Sequence, residues 1–436
     1  MTMAATAQTQ AESGAAPPRR RMGNPARLWS MLLAGVLVVL LAGSVAGVGL
    51  SGRSSTAEHT GQATEQLYQD VQELSYALAD ANATAANALL IGPVAPKVDT
   101  DRFGSDITLV EQRLSDASQR VTGDATASSQ LDDLAVRVPQ YSQWIGEALA
   151  NNRFGFPVAG AYLRLASQMY TGQMLGEVQA VIAEEQAATQ DGMSSASSPD
   201  WLTIVVCVLA FIALAVVGRM LARASKRRLN LGVLGAALAV LALLLWTCVA
   251  AVGSSSAVDD AHTDFSQVML AQNGNSELSL AETYVALQQI DRGEDVGQVG
   301  GDDQQHAVKV LADLTEIGKG FTGKGSGAVS ADVHKLVACA DSGIELAADG
   351  QYQKAITATV GTEQDLASGC ETAAAKAVRD DFDNVTNASQ ARYAADMSRA
   401  RSWYGGGAAL ALALAVGLLG AVAAAWGLNR RLAEYR

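Results

Sequence analysis

Four long apolar runs constrain this chain more than any other feature of its sequence. They lie at about 28–50, 201–218, 231–253 and 404–428, and each is close to the ~20 residues that a helix needs to cross a membrane. Their interiors contain no Asp, Glu, Lys, Arg or His. The sequence therefore predicts a four-span membrane protein. Because charged groups inside spans mark ion and substrate paths, their absence disfavours transport.

The first run also has features of a cleavable signal peptide, because it follows Arg19, Arg20, Arg21 and Arg27 and ends in small residues. Its apolar core is longer than the corresponding region of a signal peptide. We therefore expect this run to be retained as a transmembrane helix.

Charge is distributed unevenly between the segments that join the runs. Residues 1–27, 219–230 and 429–436 hold 12 of the 31 Lys and Arg residues and only two acidic residues. Residues 51–200 hold 8 basic and 19 acidic residues, and residues 254–402 hold 11 and 23. Since Lys and Arg accumulate in cytoplasmic loops, we expect both termini to be cytoplasmic and the two acidic segments to be extracytoplasmic. The acidic surface also argues against nucleic acid as a partner.

These observations predict a multi-pass protein of the cell membrane, embedded in the lipid bilayer and divided into nine segments. The predicted boundaries are 1–27 for a disordered basic cytoplasmic tail, 28–50, 201–218, 231–253 and 404–428 for transmembrane helices, 51–200 and 254–402 for two extracytoplasmic modules, 219–230 for a basic cytoplasmic loop and 429–436 for a cytoplasmic tail.

The two acidic segments resemble each other in local sequence. ELSYALAD at 73–80 aligns with ELSLAETY at 277–284, and EALANNRFGFPVA at 147–159 aligns with ELAADGQYQKAI at 345–356. Each match is weak alone, but the matches follow the same order at an offset of about 200 residues. We interpret the chain as an internal duplication.

Apolar residues in both segments recur at steps of three and four, as in Leu67, Val71, Leu74 and Leu78, which is the spacing of an amphipathic helix. Stretches rich in Gly, Pro, Asp and Ser divide each segment into four helices. The sequence therefore predicts an all-α fold in which four transmembrane helices carry two duplicated extracytoplasmic four-helix bundles. Each bundle resembles a chemoreceptor sensor module and stands on a two-helix stalk that continues into the membrane.

The most distinctive stretch is ANNRFGFPVAGAYLRLAS at 150–167. Pro157 is tolerated in the first turn of a helix, and Asn152 and Gly155 can adopt the left-handed conformations of a tight reversal. The stretch is therefore predicted to join the third and fourth helices at the outer tip of the first module.

Two aromatic side chains in this stretch exceed what a turn requires. Phenylalanines beside an arginine at an exposed tip are typical of an interface anchor, and they fit a cap over the core equally well. The predicted partner-binding residues, including one at the matching turn of the second module, are Asn151, Asn152, Arg153, Phe154, Phe156 and Tyr352.

Cys339 and Cys370 share the second module, where an oxidising compartment favours a disulfide. In straight helices they would lie about 15 Å and about 30 Å below the tip, whereas a disulfide needs a Cα separation of ~4.4–6.8 Å. The predicted disulfide therefore requires an irregular start to the fourth helix, for which Gly361 is the obvious position.

The sequence contains no Gly-rich phosphate loop, nucleophile elbow or Cys-x-x-Cys motif, and its four histidines lack metal-ligand spacing. We therefore expect the protein not to be an enzyme and to hold no cofactor or metal.

The four spans, the duplicated modules, the basic middle loop and above all the 150–167 motif make the chain resemble the GlnX-type membrane proteins of actinobacteria. This resemblance implies a relay of amino-acid availability. A glutamate/aspartate-binding lipoprotein of the GlnH type would dock outside, and the soluble serine/threonine kinase PknG would respond inside. The resemblance also implies that the 150–167 motif belongs to the recognition end.

The cytoplasmic segments are too short to form a catalytic domain, so a signal must pass to a separate protein. The predicted output surface comprises Arg219, Arg223, Lys226, Arg227 and Arg228. Setting the membrane topology is an alternative role for these charges. Two alternative functions are a structural or scaffolding envelope protein and an accessory transporter subunit. A homo-oligomer is compatible with each of the three functions.

Overall fold

A computed structural model describes residues 24–59, 65–121, 124–155, 158–197, 201–225, 231–290, 300–322, 326–362, 365, 368–405 and 408–432. These described residues are almost entirely helical and contain no strand, which confirms the all-α class. The helices are α1 (Asn24–His59), α2 (Glu65–Ile91), α3 (Lys97–Arg120), α4 (Ala125–Arg153), α5 (Val158–Met169), α6 (Leu175–Ser197), α7 (Trp201–Ser225), α8 (Leu231–Ile290), α9 (Gly300–Gly320), α10 (Ser326–Ala348), α11 (Tyr352–Val360), α12 (Cys370–Trp403) and α13 (Ala409–Leu432).

Four helices are long and apolar enough to cross a membrane: α1 over Leu33–Gly52, α7 over Trp201–Met220, α8, and α13 over Ala409–Trp426. The described parts of residues 1–50, 200–248 and 408–436 form one compact unit. Its core consists of small and medium apolar side chains, among them Val39, Ala42, Cys207, Ala236 and Ala413.

Glycines bring the backbones of α1 and α13 close together inside this unit. A Cβ atom added at Gly43 would lie 3.0 Å from the Cα atom of Gly417 and 3.3 Å from the carbonyl oxygen of Ala413. Small residues at helix crossings are the usual route to tight packing in a membrane. The α1–α13 crossing therefore depends on the absence of a side chain at these positions.

The described parts of residues 51–199 and 249–407 form a second compact unit. Its largest core joins both predicted modules, because Leu74 and Leu78 of α2 and Leu134 of α4 belong to the same cluster as Val285 of α8 and Ile344 of α10. The two modules, which the sequence pattern treats as separate bundles, thus share one hydrophobic core.

The predicted continuous stalks are confirmed at one helix and wrong at another. Helix α8 runs without interruption for 60 residues, from the third apolar run into the second module. Helix α12 ends at Trp403, and Gly405 follows with a φ of 89°, so the chain turns before α13 begins. The junctions at residues 60–64 and 198–200 lie outside the described residues.

The fourth helix of the second module is interrupted, as a disulfide there requires. Helix α11 ends at Val360 and α12 begins at Cys370, which is bonded to Cys339 of α10 with a Cα separation of 5.6 Å. Gly361 has a φ of 84°, and a Cβ atom there would lie 2.6 Å from the carbonyl oxygen of Asp365. Only glycine fits this bend, which brings the start of α12 to the side of α10.

Candidate functional site

The 150–167 stretch contains a tight turn after α4. The backbone N–H of Phe154 donates to the carbonyl oxygen of Asn151 at 3.2 Å, and that of Gly155 donates to the carbonyl oxygen of Asn152 at 2.9 Å. Gly155 has a φ of 69°, a left-handed conformation that costs glycine little. Helix α5 then begins at Val158, so this stretch is the reversal between the third and fourth helices of the first module.

Two asparagines fix the turn to its surroundings. The Asn152 side-chain amide donates to the carbonyl oxygen of Gly92 at 2.7 Å, and the Asn151 amide donates to the carbonyl oxygen of Glu147 at 2.7 Å. The first of these bonds joins the turn to the loop between α2 and α3. The two connections at this end of the module are therefore neighbours in space, and Asn152 holds them together.

Apolar side chains are exposed on these neighbouring connections and in the first turns of the helices that follow them. Phe154 is 72% exposed, Val94 68%, Val98 61% and Val158 44%. These four residues are called the tip patch below. An aromatic side chain with this exposure does not fill the core, so the geometry of Phe154 favours an anchor over a cap. Phe156 lies outside the described residues.

The matching turn of the second module has the same backbone form and a different surface. Gly350 has a φ of 75°, and its N–H donates to the carbonyl oxygen of Ala347 at 3.0 Å, as that of Gly155 does to Asn152. Tyr352 begins α11 and is half-buried, unlike the exposed Phe154. The structure therefore places Tyr352 on the corresponding turn of another module, and Asn151, Asn152, Arg153 and Phe154 together on the first.

The predicted output residues lie at and beyond the end of α7. Arg219 is an exposed residue of α7, and Arg223 belongs to the last two turns of that helix. Lys226, Arg227 and Arg228 lie outside the described residues. The role of this surface stays a prediction.

Another candidate site, formed by polar residues, lies where the two modules meet. The sequence pattern did not reveal it. Its residues, called the module joint below, are Asp80 of α2, Arg102 and Asp106 of α3, Glu282 of α8, and Glu371 and Arg379 of α12. Asp80 is buried and accepts two hydrogen bonds from Arg102, from Nε at 2.9 Å and from Nη2 at 2.6 Å.

Arg379 connects the two modules through this site. Its Nη2 atom lies 3.3 Å from Oδ1 of Asp80 in the first module and 2.8 Å from Oε2 of Glu282 in the second. A guanidinium presents several donors in a fixed planar arrangement, so it can bind two carboxylates at once. Arg379 thus makes the central charged contact between the modules.

A neutral network accompanies these charges. Asn82 is fully buried; its Oδ1 atom accepts from Tyr141 at 3.3 Å and from Ser167 at 3.1 Å. Its Nδ2 atom donates to Thr283 Oγ1 of the second module at 3.2 Å. Because buried polar groups are costly unless they are paired, this network requires α2, α4, α5 and α8 to pack in one arrangement.

Two carboxyl groups of the module joint have raised pKa values. Burial, followed by the neighbouring carboxylate of Asp80, raises the pKa of Asp106 to about 7. Burial and then repulsion from Glu282 raise the pKa of Glu371 to about 8, while a hydrogen bond from Thr359 lowers it in part. Only 2% of Glu371 is exposed. Both groups therefore exchange protons near neutral pH.

One signal in the sequence could have indicated this site. The α2 sequence ALADANATAANALL has small or apolar residues on every side, which is typical of a helix that is buried all round. Polar residues such as Asp80 and Asn82 within that stretch must then be buried and paired. The partners themselves are distant in the chain and leave no local pattern.

Comparison with known families matches residues 56–194 to the actinobacterial sensor domain. Searches of curated proteins and of solved structures returned no match. The matched range covers nearly all of the first module, including the 150–155 turn. Together with the four apolar helices, it fits a multi-pass sensor membrane protein of actinobacteria.

Proposed function

We propose that this protein is a non-enzymatic transmembrane relay that senses extracellular glutamate or aspartate through an amino-acid-binding lipoprotein and signals to a cytoplasmic serine/threonine kinase. The observation that carries the proposal is the sensor-domain match over residues 56–194, combined with a tip patch on that same domain. The resemblance of the 150–167 motif to GlnX-type proteins supplies the identity of the two partners. The tip patch is the docking surface for the lipoprotein.

The tip patch has the properties of a protein-docking surface. Its apolar side chains lie on two connections and on the first turns of the following helices. The Asn152–Gly92 hydrogen bond joins the connections, so the patch is held in place before a partner binds. Such preformed surfaces lose little conformational entropy on association. Arg153 is exposed beside Phe154 and offers a polar contact at the rim.

The relay needs an output inside the cell, and the end of α7 with the following basic residues provides it. In this proposal, docking at the tip shifts the packing of the module helices, and the shift reaches the segment from Arg219 to Arg228 through the fourth helix of the first module.

Crosslinking in membranes tests the proposal. A photo-crosslinking amino acid at position 154 is expected to capture a solute-binding lipoprotein, with a yield that changes when glutamate or aspartate is added. The same label at Val136 is a matched control, because Val136 is also 72% exposed but lies in the middle of α4. Capture of envelope-synthesis proteins, insensitive to amino acids, would instead indicate scaffolding, and capture of permease subunits an accessory transport role.

Replacing Phe154 with Ser should weaken lipoprotein binding by at least tenfold, about 1.4 kcal/mol or more, since exposed aromatic anchors carry a large share of interface energy. The thermal midpoint should stay nearly unchanged because the side chain is outside the core. Val136→Ser is the control and should change neither quantity. Full binding by Phe154→Ser would contradict the docking role of the tip.

Neutralising the output surface by replacing Arg223, Lys226, Arg227 and Arg228 with Gln is expected to abolish the kinase response while lipoprotein crosslinking persists. The orientation of the variant must be checked by labelling cysteines from each side of the membrane, because basic residues also set topology. A normal kinase response in a correctly oriented variant would contradict this output role.

A further inference from the structure

We propose that the module joint is a pH-sensitive contact, which holds the two modules together in mildly acidic surroundings and loosens as the surroundings become mildly alkaline. This inference does not depend on the identity of the ligand or of the partners. It rests on the placement of buried charges between the modules.

The charge balance of the module joint depends on two protons. Asp80 and Glu282 accept ion pairs from Arg102 and Arg379, so these four groups balance each other. Asp106 and Glu371 add two further carboxyl groups without a further cation. With both protonated, the six residues of the joint have no net charge. With both ionised, these residues carry two uncompensated negative charges in a largely buried place, which is strongly unfavourable.

Glu371 is buried and Asp106 is half-buried, and each has a buried oxygen that is poorly satisfied. Glu371 is the second residue of α12, directly after the disulfide-bonded Cys370, so the bend at residues 361–369 fixes its position. Among the described residues, Glu371 Oε2 and Asp106 Oδ2 are buried oxygens without a hydrogen-bond partner. A protonated carboxyl group tolerates this environment better than an ionised one.

Among the described residues, the positive charges that act on the raised carboxyl groups around the joint are those of Arg102 and Arg379. The charged or titratable residues that face the joint are Tyr76 and Asp80 from α2, Asp99, Arg102 and Asp106 from α3, Tyr141 from α4, Glu282 from α8, and Glu371, Arg379 and Asp383 from α12. Helix α11 contributes the uncharged Thr359. Burial raises the pKa of Asp99 and of Asp383 as well, and the negative charge of Asp80 adds to the increase at Asp383.

The direction of the pH effect follows from these shifts. The pKa of Glu371 is raised from 4.5 to about 8 and that of Asp106 from 3.8 to about 7. For an acid whose pKa is raised by folding, the stabilisation is fully present below the ordinary pKa and is lost as the pH rises through the raised one. The joint should therefore weaken progressively from about pH 5 to about pH 8.

Hydrogen exchange of the full-length protein in detergent or nanodiscs, corrected for intrinsic exchange rates, tests the proposal. In the wild type, the amides of residues 76–86 and 279–287 should lose protection at least about tenfold between pH 6 and pH 7, since opening releases at least one proton. Residues 131–138 of α4, which contribute Leu131, Leu134 and Val138 to the core, should change less. Equal protection of these joint segments at both pH values in the wild-type protein would by itself overturn the proposal.

Glu371→Gln and the double variant with Asp106→Asn identify the responsible groups. Both variants keep the shape of the side chain and remove a titrating carboxyl group. The single variant should reduce the pH dependence, and the double variant should reduce it further, with protection at pH 8 that exceeds the wild-type value. Glu147→Gln, on the exposed face of α4, is the control and should behave as the wild type. A wild-type pH profile in the double variant would overturn the assignment to these residues.

Discussion

Replacing Arg379 with Met is expected to destabilise the second compact unit by about 3–5 kcal/mol at neutral pH. Arg379 is the cation shared by Asp80 and Glu282, and only 13% of its side chain is exposed. Its removal leaves Glu282 as a buried carboxylate without this partner, and Asp80 with Arg102 alone. The cost of an uncompensated buried charge exceeds the value of the ion pair itself. The measurement is the thermal or denaturant midpoint of the full-length protein, monitored by the circular dichroism of its helices.

A matched control lies on the same helix. Arg392 of α12 forms a 2.7 Å ion pair with Asp264, but 57% of its side chain is exposed. Pairs of this kind contribute about 0–1 kcal/mol because water screens them and holding two long side chains costs entropy. Arg392→Met should therefore have a much smaller effect than Arg379→Met. Equal effects would show that the central contact between the modules does not depend on buried charge.

The prediction about Arg379 could not have come from the sequence. Glu282 and Arg379 are 97 residues apart in the chain, and Asn82 and Thr283 are 201 residues apart. Local patterns carry no information about which distant helix faces which. Burial of α2 on every side could be read from its composition, but the identity of its partners depends on the packing of two modules that the repeat pattern treats as separate.

The spans and helices could be predicted because their signals are local. An apolar run of the right length specifies a membrane-spanning helix by itself, and a step of three and four residues specifies the buried face of an amphipathic one. The interruption near Gly361 could also be derived, because a disulfide between Cys339 and Cys370 excludes a straight helix. The end of α12 at Trp403 was not predicted, although the three glycines at 405–407 are a local signal for a break in a helix.

The candidate docking site could likewise be predicted only in part from the sequence. Turn chemistry at Asn152 and Gly155 is local, so the reversal could be predicted. Whether Phe154 caps the core or faces outward depends on how well the four helices of the module fill their own interior. Large residues such as Tyr141 and Ile145 are fully buried in it, whereas Phe154 is exposed.

The second large effect is expected at the crossing of α1 and α13, where Gly43→Ala should destabilise the membrane-spanning unit by about 1–3 kcal/mol. The added Cβ atom would meet the Cα atom of Gly417 at 3.0 Å and the carbonyl oxygen of Ala413 at 3.3 Å. Both are backbone atoms, so the helices must move apart to relieve the contact. The lost close packing is the main source of helix association in a membrane. The measurement is the folded fraction during titration of detergent micelles with sodium dodecyl sulfate.

Two other glycines of α1 separate this steric effect from a general effect of alanine on the helix. A Cβ atom at Gly35 would make an ordinary contact with Leu214 at 3.9 Å, and one at Gly47 would press on Leu410 Cδ1 at 2.8 Å. The end of a leucine side chain can move, whereas a backbone cannot. Since alanine favours the helix equally at all three positions, the loss of stability should be largest for Gly43→Ala, smaller for Gly47→Ala and absent for Gly35→Ala. Any other order would contradict the tight backbone crossing at Gly43 and Gly417.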